Sequence, residues 1–298
     1  MIMREKLVSG RNGSRLTKFL FTFPAILFLI VFMGYPIIFS VVISFTRYDG
    51  IHPASFIGLQ NYIDAFTSKE FLEVFGNNLY LTLIGLPLAT FVPLFVAVIL
   101  FDGVRFGKIF KVIFLLPSIF SVVIVGTIFR AFFAYDGPVN LILQTMGREP
   151  VDWLASGATS IPVIVLAMVW AGFGVNMLII LAGMSSIPTE IYESAMLDGI
   201  SWLQKVFYIT IPLIWDVLEF VVVMNIVTLF SSMFGYIYTM TDGGPGYKSS
   251  VLEYLLYVKG FRLNNIGYAC CIAAVLFVLV FILSRAAMFL FHRKDKRQ

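Results

Sequence analysis

Few residues in this chain are placed to make or break bonds. The two histidines, His52 and His292, stand near opposite ends of the sequence. They form neither an acid–base couple nor a ligand pair. Cys270 and Cys271 are adjacent, which disulfide geometry disfavours, and no zinc-like spacing surrounds them; they read as small apolar fillers. Lys248 and Ser249 follow a Gly-rich stretch, as in a phosphate-binding loop. Tyr247 stands where Gly must precede the Lys, and no strand comes before it. No carboxylate pair lies deep in an apolar run. The expectation is a chain with no catalytic residue, no metal and no cofactor of its own. What remains is recognition by polar and aromatic groups inside apolar stretches. Trp170, Phe173 and Asn176 lie in one such stretch, and Asn225, Ser231, Ser232, Phe234 and Tyr236 in the next. An amide in hydrocarbon needs a partner, so Asn176 and Asn225 stand out. Phe, Trp and Ser in such helices mostly pack against lipid or other helices. With 31 Phe in the chain, aromatic richness selects nothing.

The elements that must position these residues are membrane spans. The 298 residues are 59% hydrophobic and only 13% charged, with mean hydropathy +0.93; a soluble domain carries roughly twice that charge. The length accommodates six spans of ~20 residues. They are expected at about 19–46, 78–101, 112–134, 161–184, 213–240 and 265–291, between tails at 1–18 and 292–298. The first run is too long for a cleavable signal peptide, whose apolar core is ~7–15 residues. Pro24 and Pro36 predict a kink in the first span, Pro87 and Pro93 are expected to break the second, and the third contains Pro117. Asp216 and Glu219 fall in the first turns of the fifth span, near an interface rather than mid-bilayer. Fourteen of the 21 Lys and Arg fall on one side if the spans alternate from a cytoplasmic N-terminus. That bias places both termini in the cytoplasm. The formal net charge of +4 therefore belongs to the inner membrane surface and does not signal nucleic-acid binding.

Between the fourth and fifth spans, 185–212 is polar but patterned. Pro188 suits the first turn of a helix, and Glu190 and Glu193 favour its positive end. Gly199 suits a left-handed cap. Ser201 and Gln204 have capping-box spacing, and Trp202, Val206 and Ile209 give a second helix an apolar stripe. Pro212 closes it. The pattern predicts a helix–Gly–helix elbow, and the charge bias puts it in the cytoplasm.

This elbow resembles the EAA loop of ABC-importer permeases, through Glu193, Ser194, Ala195, Asp198, Gly199, Phe207, Ile209, Thr210 and Pro212. Ser194 and Ile200 depart mildly from that pattern. Ser44, Phe45, Gly58, Leu59, Asn61 and Tyr62 resemble the opening of one class in the same family. Leu115-Leu116-Pro117 matches it in the third span. The Thr-Asp-Gly-Gly-Pro turn at 241–245 resembles a signature of sugar-importer permeases. The resemblance, over about 24–285, is to carbohydrate permeases of the maltose and glycerol-phosphate type. It implies an all-α membrane protein with six transmembrane helices in the type I ABC importer permease fold, multi-pass in a bacterial plasma membrane. It implies a second homologous permease, two ATP-binding subunits in the cytoplasm that hold ATP and Mg, and an extracellular binding protein that delivers a sugar. Coupling to the ATPase would use Glu190, Glu193, Ala195, Asp198, Gly199, Trp202, Phe207 and Pro212. In that reading Glu193 and Asp198 brace the elbow, Ala195 and Gly199 permit close docking, and Trp202 and Phe207 fix it to the bundle. The eight span residues named above would line the substrate path. Other cargoes are weaker readings. A polyamine path should carry buried acids, and a phosphate ester would want a buried cation, for which only Arg130 is marginal. A secondary transporter working without an ATPase would normally need an intramembrane ionisable relay, which the spans lack, and no internal repeat supports one.

Overall fold

The computed structural model describes residues 18–295, with side chains to 291. The expected tails, 1–18 and 292–298, lie outside it except for Lys18 and the last helical turn. The described residues are helical almost throughout. The helices are α1 (Lys18–Ile43), α2 (Gln60–Thr67), α3 (Lys69–Phe101), α4 (Gly107–Leu115), α5 (Val122–Phe132), α6 (Pro138–Thr145), α7 (Gly157–Ser185) and α8 (Thr189–Leu197). They continue with α9 (Trp202–Leu213), α10 (Trp215–Ser231), α11 (Phe234–Met240), α12 (Leu252–Tyr257) and α13 (Ile266–Asp295). Among the described residues, one small antiparallel ribbon pairs Thr46 with Phe56 and Arg47 with Ser55.

Among the described residues four helices, α1, α3, α7 and α13, are long and apolar enough to cross a membrane alone; counting two bent pairs as single spans gives up to six. The expected spans need correction at several ends. The second begins at Lys69 rather than 78, because the Ser68 side chain caps the helix by accepting from the Phe71 N–H. The third is not one rod. A 3-10 turn, Leu116–Ile119, contains Pro117, and the axis bends by 96° before α5. The fifth starts at Trp215, 73° away from α9, and is broken at Ser232. There the carboxylate of Glu253 accepts from the Met233 and Phe234 N–H groups, both at 2.8 Å. It thereby satisfies donors that a helix start would leave open.

Close approach sets the packing. A Cβ at Gly174 in α7 would lie 2.2 Å from the Phe114 carbonyl oxygen, so only glycine lets the Pro117 turn settle on that helix. At the elbow end the core joins Leu94, Ala97 and Val98 of α3 to Met177 and Met184 of α7 and Leu218 of α10. Farther along, Leu81, Ile164, Leu229 and Ile237 form a second cluster. The expected outer loop at 135–157 is partly folded. Asn140, 1% exposed, ties α6 to Val151 and to the indole N–H of Trp153. α1 is the least buried of the four, with 6% of its apolar window buried by the rest of the chain; its last turns, from Pro36 to Val41, pack beside α13.

Candidate functional site

The elbow is built as its sequence dictates. α8 ends in a Schellman motif: Gly199, at φ +72°, donates to the Met196 carbonyl and Ile200 to that of Ala195. Ser201 and Gln204 form the reciprocal capping box that starts α9. Pro188 is the residue before the helix rather than in its first turn, since its extended ψ of 135° leaves Thr189 to open it. α9 runs one residue past Pro212, to Leu213.

The two faces of the elbow differ. Inward, Ala195 is buried at 5% and Val206 at 6%. The Tyr192 ring packs on Phe101 at 5.5 Å, and its hydroxyl donates to Thr210 at 3.4 Å. Outward lie Glu190, Glu193 and Asp198, together with Met196 and Leu197, the latter 90% exposed. Ala195 thus permits close packing within its own chain. An added Cβ at Gly199 would meet nothing within 4 Å, so its need for glycine comes from its backbone angle. Phe207, expected to fix the elbow to the bundle, is instead exposed, because the helix turns Val206 and Thr210 inward in its place. Trp202 does anchor, through its edge. Its indole N–H donates to one carboxylate oxygen of Asp102 and the Lys205 ammonium pairs with the other. In the sequence Asp102 reads only as part of a basic turn. The signal it carries is a carboxylate at a helix C-terminus, where the dipole disfavours negative charge.

The candidates for the substrate path divide among separate settings. Asn176 and Asn225 meet. Asn176 donates to the Ala89 carbonyl at 3.0 Å and to the Asn225 side-chain oxygen at 2.9 Å. Asn225 donates to the same carbonyl at 3.2 Å and to the Thr90 hydroxyl at 3.3 Å. Pro93 explains the shared acceptor: it has no N–H to give the carbonyl four residues earlier. Trp170 lies against Phe129 at 5.7 Å and Phe173 against Phe114 at 5.1 Å. Ser231 bonds back to Val227 in its own helix, and Ser232 is exposed at the break. Phe234 joins an aromatic group with Tyr238, Tyr254 and Tyr257, while Tyr236 is buried in the core.

The other residues that carried the resemblance find one another. Asn61 donates to the Ser44 and Thr46 carbonyls at 2.8 and 2.9 Å, and the Ser44 and Tyr62 hydroxyls lie 2.7 Å apart. In the Gly-Gly-Pro turn, the Tyr254 hydroxyl donates to Asp242 at 2.6 Å and Arg262 at 2.9 Å. Arg262 holds the Asp242 carboxyl below the usual carboxylate range, with the tyrosine bond helping.

A probable ABC transporter permease of Pyrococcus horikoshii is 32% identical over 285 residues, covering 93% of this chain and 96% of its own length. The chain belongs to the ABC transporter permeases. A permease of the arabinooligosaccharides transport system of Bacillus subtilis is 34% identical over 272 residues, covering 89% of this chain and 85% of its own. A lactose transport system permease of Rhizobium radiobacter is 29% identical over 271 residues, covering 89% and 90%. Among solved structures, a bacterial alginate ABC transporter in complex with an alginate pentasaccharide-bound periplasmic protein superposes with TM-score 0.83. It covers 95% of this chain and 96% of its own at 22% identity, a likeness of fold. No family model matches the sequence. The permease fold accounts for the broken helices: irregular backbone at membrane depth is tolerated where it is enclosed by protein or lines a cavity.

Proposed function

We propose that this permease forms, with a second and similar permease, the path by which a sugar or oligosaccharide enters the cell. An extracellular binding protein delivers the solute. Two cytoplasmic ATP-binding subunits supply the work, through the elbow and its residues Glu190, Glu193, Ala195, Asp198, Gly199, Trp202, Phe207 and Pro212. The observation that carries the reading is the outward face of α8. Leu197, 90% exposed, and Met196 stand bare between Glu193 and Asp198 at a polar end of the bundle. An apolar patch rimmed by charge is what a partner surface covers. The names of relatives that transport arabinooligosaccharides and lactose support the cargo class. Closure of the ATPase dimer would draw the two elbows together and open the path outward; hydrolysis would reopen it inward. Among the span residues, Trp170, Phe173, Ser231, Ser232 and Phe234 are left as candidates to meet the solute. Tyr236 is enclosed, and Asn176 and Asn225 act first on the Ala89 carbonyl.

The test is reconstitution. Vesicles holding both permeases, both ATPase subunits and the binding protein should accumulate radiolabelled oligosaccharide only with internal ATP. Leu197→Glu should abolish co-purification of the ATPase subunits while the permease still inserts. Accumulation by this polypeptide alone would overturn the reading.

A further inference from the structure

Three sets of side-chain bonds attach to one helix, α3, at three depths. Its 33 residues run unbroken through Pro87 and Pro93, despite the break expected there, and reach ~50 Å at 1.5 Å per residue, more than the ~40–45 Å of a bilayer with its headgroups. At the elbow end, Asp102 caps the helix and holds both Trp202 and Lys205. Near the middle, the Ala89 carbonyl is held by Asn176 of α7 and Asn225 of α10. At the far end, Asn77 donates to the Tyr247 and Ser250 carbonyls at 2.9 and 3.0 Å. Its neighbour Asn78 accepts from the Leu252 N–H at 2.7 Å. Glu70 pairs with Lys259 there, also at 2.7 Å. That last segment carries the Gly-Gly-Pro turn.

We propose that Asp102 is a positioning residue for ATP-coupled transport: it locks the elbow to α3, so that elbow and helix move as one body and displacement at the cytoplasmic end reaches the segment 241–262, the Gly-Gly-Pro turn with α12. The inference rests on the coupling role of the elbow and adds the route by which its motion leaves it. Asp102 is an unfavourable residue for a helix C-terminus, where the carboxylate meets the negative end of the dipole. Its two donors offset that cost, and both come from α9. The second contact, Tyr192 on Phe101, comes from α8. Both halves of the elbow therefore seat on the last turn of the same helix. Packed helices transmit displacement because cores resist compression. A contiguous chain of contacts makes a route, and a measured coupling makes it a mechanism.

The test uses the assembled importer in nanodiscs, with Mg-ATP as the probe and both native cysteines replaced. Spin labels at Ser194→Cys on α8 and Phe95→Cys on α3 report whether elbow and helix keep their separation. In the otherwise native chain the distance should be the same with and without nucleotide, while Ser194 moves relative to a label on the second permease. Asp102→Ala should make the α8–α3 distance change on ATP binding. It should also lower solute moved per ATP hydrolysed several-fold, with assembly intact. Asp102→Glu should restore most of that ratio. Lys205→Met leaves the Trp202 bond in place and should give a smaller loss, which keeps the test open if Asp102→Ala misfolds. A native α8–α3 distance that shifts with nucleotide overturns the proposal. So does an Asp102→Ala or Lys205→Met importer with unchanged distance and unchanged transport per ATP. Failure of the ATPase subunits to bind the native elbow would instead overturn the coupling reading, and the lever with it.

Discussion

At the scale of single residues, Gly199 separates two reasons for using glycine. It sits at φ +72°, and a Cβ added there would meet nothing within 4 Å, so the strain of a left-handed backbone is the cost of replacing it. That cost is about 1–2 kcal/mol for an ordinary L-residue and less for Asn, which tolerates the region. Thermal unfolding of the purified permease should rank Asn above Ala and Ala above Val. Co-purification of ATPase subunits should follow the same order. If Ala matched Gly and only large side chains failed, the site would instead be reserved for close approach by a partner. Asp102 shows the opposite case, a residue whose role lies in its partners. Its own surroundings in sequence, a basic turn with Arg105, Lys108 and Lys111, hold no sign of donors a hundred positions later.

At the scale of elements, the proline in α3 and the two asparagines outside it form one device. Replacing Asn176 and Asn225 together by Ala leaves the Ala89 carbonyl without either donor and should destabilise the bundle by about 1–3 kcal/mol, the cost of an unsatisfied buried polar group. Pro93→Ala restores an N–H that can fill that carbonyl, so the same pair of changes should cost much less in that background. A mutant cycle on thermal stability, with the two asparagines as one site, reads the difference; simple additivity would show that the carbonyl does not set their contribution. This also marks how far sequence reading reaches. The two amides are legible as groups in need of partners, because hydrocarbon offers none. Their partner is a backbone atom, and nothing in the order of residues says which neighbouring helix presents its freed carbonyl. The elbow is legible to within a residue because its signals are local: a cap, a capping box and a left-handed glycine. The third and fifth spans are less so. Hydropathy reports apolar length, and a bend of 96° or 73° leaves length and composition unchanged. The break at Ser232 depends on Glu253, twenty-one residues away in sequence, which no periodicity reveals.

At the scale of the molecule, the elbow and the Gly-Gly-Pro turn lie at opposite ends of α3, tied to it through Asp102 and Asn77. They should therefore face opposite compartments. In sealed cells, a membrane-impermeant maleimide should label Lys248→Cys and spare Glu193→Cys until the membrane is opened. Labelling of Glu193→Cys from outside would invert the proposed topology and remove the elbow from any cytoplasmic ATPase. The same view takes in α1. Few of its residues are buried by its own chain; its last turns, from Pro36 to Val41, pack beside α13, and its N-terminal half stands apart from the bundle. Six spans are countable from composition, but the sparse packing of the N-terminal half of α1 is not, since a lipid-facing and a protein-facing helix have the same apolar sequence.

The clasp on Ala89 bears on how the protein is made. Its two asparagines follow that residue by 87 and 136 positions. A ribosome adding roughly 5–20 residues each second delivers them on the order of ten seconds later. Until then, the second span must enter the membrane with a bare carbonyl at its proline. Its earliest settled position is provisional, and the N-terminal half is completed only when the C-terminal half arrives.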